Sequence, residues 1–146
     1  MLPLVTMEGR AVTDPELRYT ASGMAVAKFR MVCASRKPDP DNDGKWIDDR
    51  LLWMQVTVFK KQAENVAESI AKGNQVSVVG RLQTDEWETE GGEKRSQVVC
   101  LADQVSVPLM FRSVAPEEGR AERTSAPAAE DPWATPGVSA SDEPPF

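Results

Sequence analysis

Between Ala63 and Arg81 the spacing of apolar positions changes period within a few residues. Ala63, Val66, Ala67, Ile70 and Ala71 recur at helical spacing, and Glu64, Asn65, Glu68 and Ser69 take the other side, so a short amphipathic helix is predicted. Lys72 in its last turn and Gly73 just beyond supply a stop signal. From Gln75 to Leu82 the period drops to two and the residues become β-branched, which predicts a strand following the helix almost without a loop. Two earlier stretches show the same two-residue period. Ala25, Ala27, Phe29, Met31 and Cys33 alternate with Val26, Lys28, Arg30 and Val32, predicting one core face and one charged face. Leu52, Met54, Val56 and Val58 form an apolar row whose opposite row is Trp53, Gln55, Thr57 and Phe59. That second row, with rings and hydrogen-bonding groups where a solvated face is expected, requires an explanation.

The remaining segments fill in the order. Leu2 to Val12 reads as an extended segment broken at Gly9, Thr13-Asp14-Pro15 as a turn, Glu16 to Thr20 as a short extended piece and Ser22-Gly23 as another turn. Residues 36–49 are polar, hold two prolines and predict a long exposed loop. Gly91-Gly92 marks a hairpin tip with Trp87 on one arm. Gln97 to Val107 is the last long strand; both of its faces are apolar in places, which leaves the direction of Cys100 open. The order β-β-β-α-β-β, with one helix, predicts an all-β OB-fold: a five-stranded Greek-key barrel closed at one end by the helix. A sandwich or a βαβ unit fits less well, because there is one helical pattern and hairpin turns dominate.

Composition divides the chain in two. Residues 1–112 carry fifteen Lys+Arg against sixteen Asp+Glu, whereas residues 113–146 carry two against seven and six of the eleven prolines. The first part predicts a folded domain and the second a disordered, Pro-rich acidic tail. The acidity of the whole therefore says little about the ligand of the folded part, whose cations are free to gather on one face. The tail ends in Asp142-Glu143-Pro144-Pro145-Phe146, an acidic cluster closed by an aromatic ring, and Trp133 is its other large apolar residue.

Little in the chain predicts catalysis. There is no histidine, no Gly-rich phosphate loop after a strand, and the carboxylates lie mostly in loops and tail, so no enzyme and no cofactor are expected. Two cysteines without CxxC spacing predict no zinc site and no disulfide framework. Asp39, Asp41, Asp43 and Gly44 imitate half of a calcium loop, but position twelve is Arg50 and Pro40 interrupts it, so no metal is expected there. Neither a signal peptide nor a membrane span is indicated, and the protein is placed in the cytoplasm with the nucleoid.

Binding is better supported. Trp53, Phe59 and Trp87 are interleaved with Lys28, Arg30, Arg36, Lys37, Lys60, Lys61 and Arg81. Unpaired bases expose π faces that stack on such rings, and their phosphates need a track of cations, so single-stranded nucleic acid fits this pattern. Reading a duplex groove would call for a helix, and the helix predicted here has an acidic outer side. The competing reading is an OB-fold assembly or adaptor protein whose aromatic row packs against another protein.

These residues also carry a family likeness. Residues 14–20 (DPELRYT), Ser22-Gly23, Ala25-Val26-Ala27, Trp53 through Phe59, residues 63–69 (AENVAES), Lys72-Gly73, residues 78–82 (VVGRL) and the acidic Pro-Pro-Phe end together resemble bacterial single-stranded DNA-binding proteins, SSBs, and the actinobacterial branch above all. The likeness covers about residues 3 to 110 and the last five. It implies an OB-fold homotetramer that coats single strands without sequence preference in replication, recombination and repair. It places the stacking rings at Trp53, Phe59 and Trp87. A further stacking Trp of many members falls near Lys37, and Trp46 either replaces it or simply packs. The tip Asp142 to Phe146 would recruit replication and repair proteins, its Phe ring and terminal carboxylate filling an apolar pocket beside a basic residue. The linker before the tip is short and lacks a Gly-rich run, which fits a second, specialised copy. For Cys33, which shares a face with Phe29 and Met31, a buried thiol is the favoured reading, and a disulfide of Cys33 and Cys100, within or between chains, is the other.

Overall fold

A computed structural model describes residues 1–110 and 112–114, and the first compact unit runs Met1–Phe111. The expected acidic tail beyond residue 114, with Trp133 and the tip Asp142 to Phe146, lies outside the described residues. Six strands and one helix follow in the order β1 (Leu4–Ala11), β2 (Glu16–Tyr19), β3 (Ala25–Pro38), β4 (Trp46–Phe59), α1 (Lys60–Ser69), β5 (Gln75–Glu88) and β6 (Lys94–Ser106). The sheet order β1-β5-β6-β4-β3 closes on itself through a β1–β3 pairing, giving a five-stranded barrel with the short β2 added to the start of β3. Neighbouring strands are antiparallel except β4 and β6, which run parallel, as the OB architecture requires.

The alternating rows become the core. Ala25, Ala27, Phe29 and Met31 of β3, Met54, Val56 and Val58 of β4, Val76 and Val78 of β5 and Cys100 of β6 point inward and are buried. Ala63 and Val66 of α1 and Ile70 just after it join them, so the helix contributes to the core along the predicted stripe. Gln62 fastens it further: its side-chain oxygen accepts the Val105 N–H at 2.8 Å while its Nε2 donates to the Asp103 carbonyl at 3.2 Å.

Two close backbone approaches shape the barrel. Gly9 does not break β1; it lies inside the strand where the backbone passes against the Val32 carbonyl, and a Cβ there would overlap that oxygen. Gly80 does the same at the β5 irregularity, against the Leu101 carbonyl and with Cys100 Sγ 2.8 Å from the position of a Cβ. Glycine in these strands marks close backbone passage.

Several boundaries differ from the pattern-based expectation. The helix starts at Lys60, three residues before its apolar stripe, and ends at Ser69, with Ile70 already extended. Gly73 is left-handed (φ +93°) as expected, but it serves the turn after the helix and donates its N–H to the Ala11 carbonyl at 2.7 Å. The polar segment 36–49 is mostly a hairpin arm: β3 continues to Pro38 and β4 begins at Trp46. Cross-strand charge pairs, Arg36 with Asp48 and Lys37 with Asp49, hold this arm where no apolar row exists.

Cys33 and Cys100 are both free. A bridge between them within one chain is not made, for a geometric reason. β4 separates their strands, and Cys33 pairs with Leu52 while Cys100 pairs with Val56. Four residues of strand span about 13 Å, well beyond the roughly 7 Å that a disulfide allows between Cα atoms. Cys100 is fully buried and Cys33 half-buried; burial pushes both thiols upward from the ordinary cysteine range, with Asp103 adding to the effect at Cys100.

Candidate nucleic-acid interface

With the core rows facing inward, the opposite rows of β3 and β4 meet on the outside. Val26 pairs with Phe59, Lys28 with Thr57, Arg30 with Gln55 and Val32 with Trp53. Trp53 is 51% exposed, and Phe59 and Gln55 are half-buried. Thr57, however, is only 6% exposed, so it is packed beneath its neighbours and cannot serve a ligand as the alternation suggested. The register continues across two more strands, because Thr57 pairs with Leu101 of β6 and Leu101 with Arg81 of β5. Lys28 and Arg81 therefore lie in one cross-strand row, on either side of the ring-bearing strand.

The guanidinium carbon of Arg30 lies 5.7 Å from the centroid of the Trp53 ring, within cation–π range. The contact leaves about half of the ring's surface open and sets a positive charge beside it. Lys60 follows Phe59 directly and has a left-handed backbone (φ 63°), the one non-glycine among the described residues to do so. A lysine gains nothing sterically from that conformation, which costs roughly 1–2 kcal/mol. It turns the chain sharply from β4 into α1 beside the ring of Phe59.

The remaining predicted cations are already engaged with carboxylates. Arg36 Nε lies 3.6 Å from Asp48, and the same side chain donates to the Trp46 carbonyl at 2.9 Å. Lys37 Nζ lies 2.8 Å from Asp49, Lys61 Nζ 2.9 Å from Glu64, and Arg81 Nε 3.6 Å from Asp103. The Lys61–Glu64 hydrogen bond raises the lysine pKa and lowers that of the carboxyl. Lys28, Arg30 and Lys60 have no ion pair among the described residues.

Trp87 and Trp46 are placed differently from Trp53 and Phe59. β4 and β6 pair only over Gln55–Thr57 and Val99–Leu101, and because they run parallel, the β3–β4 and β5–β6 hairpins leave the barrel on the same side as two arms. Trp87, 45% exposed, sits on the second arm opposite Arg95, in a groove of about 410 Å³ that Glu86, Glu88 and Lys94 also line. Trp46, 56% exposed, pairs with Pro38 far out on the first arm. Its exposure removes the packing alternative within this chain.

The folded register also places two cations that the sequence pattern did not single out. Arg18 of β2 pairs with Val26, the neighbour of Phe59, and Arg10 of β1 pairs with Val32, the neighbour of Trp53. Arg18 is ion-paired with Glu16, whereas Arg10 has no ion pair among the described residues. Only long-range strand pairing puts them beside the rings, so no local signal could have found them. The aspartates of the first arm show no metal set: among the described residues no three His, Cys, Asp or Glu groups gather as ligands. Asp39 is satisfied locally, accepting from Asp41 N–H and Asn42 Nδ2, each at 2.9 Å, which lowers its pKa.

Comparison with known proteins agrees with this geometry. The Single-strand binding protein family matches residues 3–108. A protein of Corynebacterium glutamicum named single-stranded DNA-binding protein is 45% identical over 107 residues, covering 73% of this chain and 47% of its own length, so this chain spans about half of that relative. One of the same name from Mycobacterium tuberculosis is 35% identical over 97% of this chain and 96% of its own length. A crystal structure of the small single-stranded DNA-binding protein from Streptomyces coelicolor superposes with a TM-score of 0.63 at 27% identity, covering 75% of this chain and 96% of that one. The closed barrel, its outward ring-and-cation rows and these matches agree: the chain belongs to the Single-strand binding protein family, in its actinobacterial form.

Proposed function

We propose that this protein binds single-stranded DNA without sequence preference, stacking bases on Trp53 and Phe59 and holding phosphates with Lys28, Arg30 and Lys60. The observation that carries the reading is the outward β3–β4 surface, where Arg30 lies over a half-exposed Trp53 and unpaired lysines flank Phe59. Rings accept any base, and cations along the strand accept its backbone, so this arrangement favours coating over sequence reading. No part of it activates a nucleophile or a proton donor, and the role is one of binding. Trp87 and Trp46 extend the platform along the arms, and Arg36, Lys37, Lys61 and Arg81 reach phosphates by exchanging their carboxylate partners. In the cell the protein acts as a homotetramer that protects single strands in replication, recombination and repair, with Asp142 to Phe146 recruiting partner proteins.

Titration with oligo-dT tests the reading. Binding should quench tryptophan fluorescence, with affinity falling as salt rises. Trp53→Ala should weaken binding by about 1–3 kcal/mol, the worth of one stacked base. Absence of quenching at low salt would overturn the proposal and favour protein contacts for this face. Removal of Asp142 to Phe146 should leave DNA affinity in place and abolish capture of partners.

A further inference from the structure

A cleft of about 390 Å³ opens where β1 meets β3, next to the ring-bearing surface but outside it. Arg10 and Arg36 lie on its walls, Val32, Pro108 and Met110 supply apolar surface, and Glu8 and Asp48 also line it. Its volume falls in the range of small-ligand sites and suits one nucleotide. Its position follows from register: Arg10 pairs with Val32, and Val32 with Trp53, so one strand's width separates the cleft from the exposed indole. The charges in it are unequal in availability. Asp48 is held by Arg36 at 3.6 Å, whereas Arg10 has no ion pair among the described residues. Met110, 81% exposed, is a flexible, polarisable side chain of the kind that packs against aromatic faces.

We infer that this cleft is a further nucleotide subsite for the bound strand, with Arg10 holding a phosphate and Val32, Pro108 and Met110 carrying the base. A strand leaving Trp53 toward β1 crosses Val32 and enters the cleft, so the DNA path continues past the edge of the β3–β4 surface. The inference rests on the proposal that this surface binds single-stranded DNA. It goes further in assigning the direction of the path and a phosphate contact to a residue of β1.

Fluorescence titrations of the full chain with an oligo-dT length series, repeated across salt concentrations, test it with Arg10→Ala, Arg10→Lys and Trp53→Ala. Arg10→Ala should reduce the salt slope by about 0.7, the value of one single-strand phosphate contact. It should also shorten the occluded length by about one or two nucleotides, while the shortest oligonucleotides that quench Trp53 bind as tightly as before. Arg10→Lys should restore the slope. Peroxide oxidation of Met110 should slow when long oligo-dT is bound and be unchanged by short oligo-dT or by free dTMP. If Arg10→Ala matches the parent in slope and occluded length while Trp53→Ala binds more weakly, the cleft is not on the path. If Trp53→Ala also binds as the parent does, the proposed surface itself fails.

Discussion

Asp48 and Asp49 face two of the predicted phosphate ligands, and neutralising both should tighten DNA binding. Asp48 lies 3.6 Å from Arg36 Nε, and Asp49 lies 2.8 Å from Lys37 Nζ and 3.8 Å from Arg50 Nε. All these side chains are solvent-accessible, so each pair is worth less than about 1 kcal/mol to the fold, and Asp48→Asn/Asp49→Asn should melt close to the parent. The effect on DNA is larger. A phosphate oxygen bound to either cation would stand about 6 Å from the carboxylate behind it, and two unit charges at that distance in water repel by about 0.7 kcal/mol. Two such repulsions removed give about 1.4 kcal/mol, or roughly tenfold tighter binding at low salt. At 0.15 M salt, where screening over about 8 Å halves the term, the gain should fall to about threefold. Two cations released for phosphate contacts should steepen the salt slope by up to about 1.4. Tryptophan quenching by oligo-dT at several salt concentrations measures both quantities. An affinity and slope equal to the parent's would mean that the β3–β4 arm does not reach the strand, and Arg36 and Lys37 would leave the list of phosphate ligands.

Other variants probe separate parts of the argument. Gly80→Ala places a methyl against the Leu101 carbonyl and Cys100 Sγ, so it should lower stability by about 1–3 kcal/mol in a denaturant melt; an unchanged midpoint would mean that the β5–β6 irregularity is loosely held. Lys60→Gly relieves a left-handed lysine, so it should raise stability by up to about 1 kcal/mol. The same variant should lower the salt slope of DNA binding by about 0.7, and gain in stability without that loss would place Lys60 off the DNA. In native protein a thiol reagent should modify Cys33 slowly and Cys100 only on unfolding, because burial hinders access and raises both pKa values; rapid labelling of two thiols would contradict the closed barrel.

How much of this surface could be read in advance depends on whether a residue's role is fixed locally. The β3 and β4 alternation fixed both faces at once, since a strand with one buried side has no freedom to turn over. Ala63 and Val66 likewise determine which side of α1 enters the core. The first arm carries no strand signal in the sequence, because both of its faces are exposed and charged pairs, without an apolar row, hold it. Alternation leaves Cys100 open for the opposite reason: the adjacent Val99 and Cys100, on opposite faces of β6, are both buried, so no polar row marks the outward side there. Thr57 shows the limit of alternation. The pattern identifies the outward side, but the residues on neighbouring strands decide whether that side is covered.

The distribution of ion pairs explains how a folded part of nearly balanced charge can present a surface to a polyanion. Residues 1–112 carry almost equal numbers of cations and carboxylates, so no overall field draws DNA to the barrel. The balance is not local. Lys28, Arg30 and Lys60, beside Phe59 and Trp53, have no carboxylate partner among the described residues, while Arg36, Lys37, Lys61 and Arg81 around them do. A strand arriving at the centre meets cations that surrender only water and counterions. At the edge it must displace an aspartate or glutamate from each cation it contacts, and that exchange returns less free energy. On the proposed reading, affinity would be concentrated on the few residues nearest the rings, with the periphery contributing according to how readily its carboxylates let go. On this reasoning Arg10, beyond Trp53, and Lys94, beside Trp87, are outer cations that would meet a phosphate with no carboxylate to exchange among the described residues.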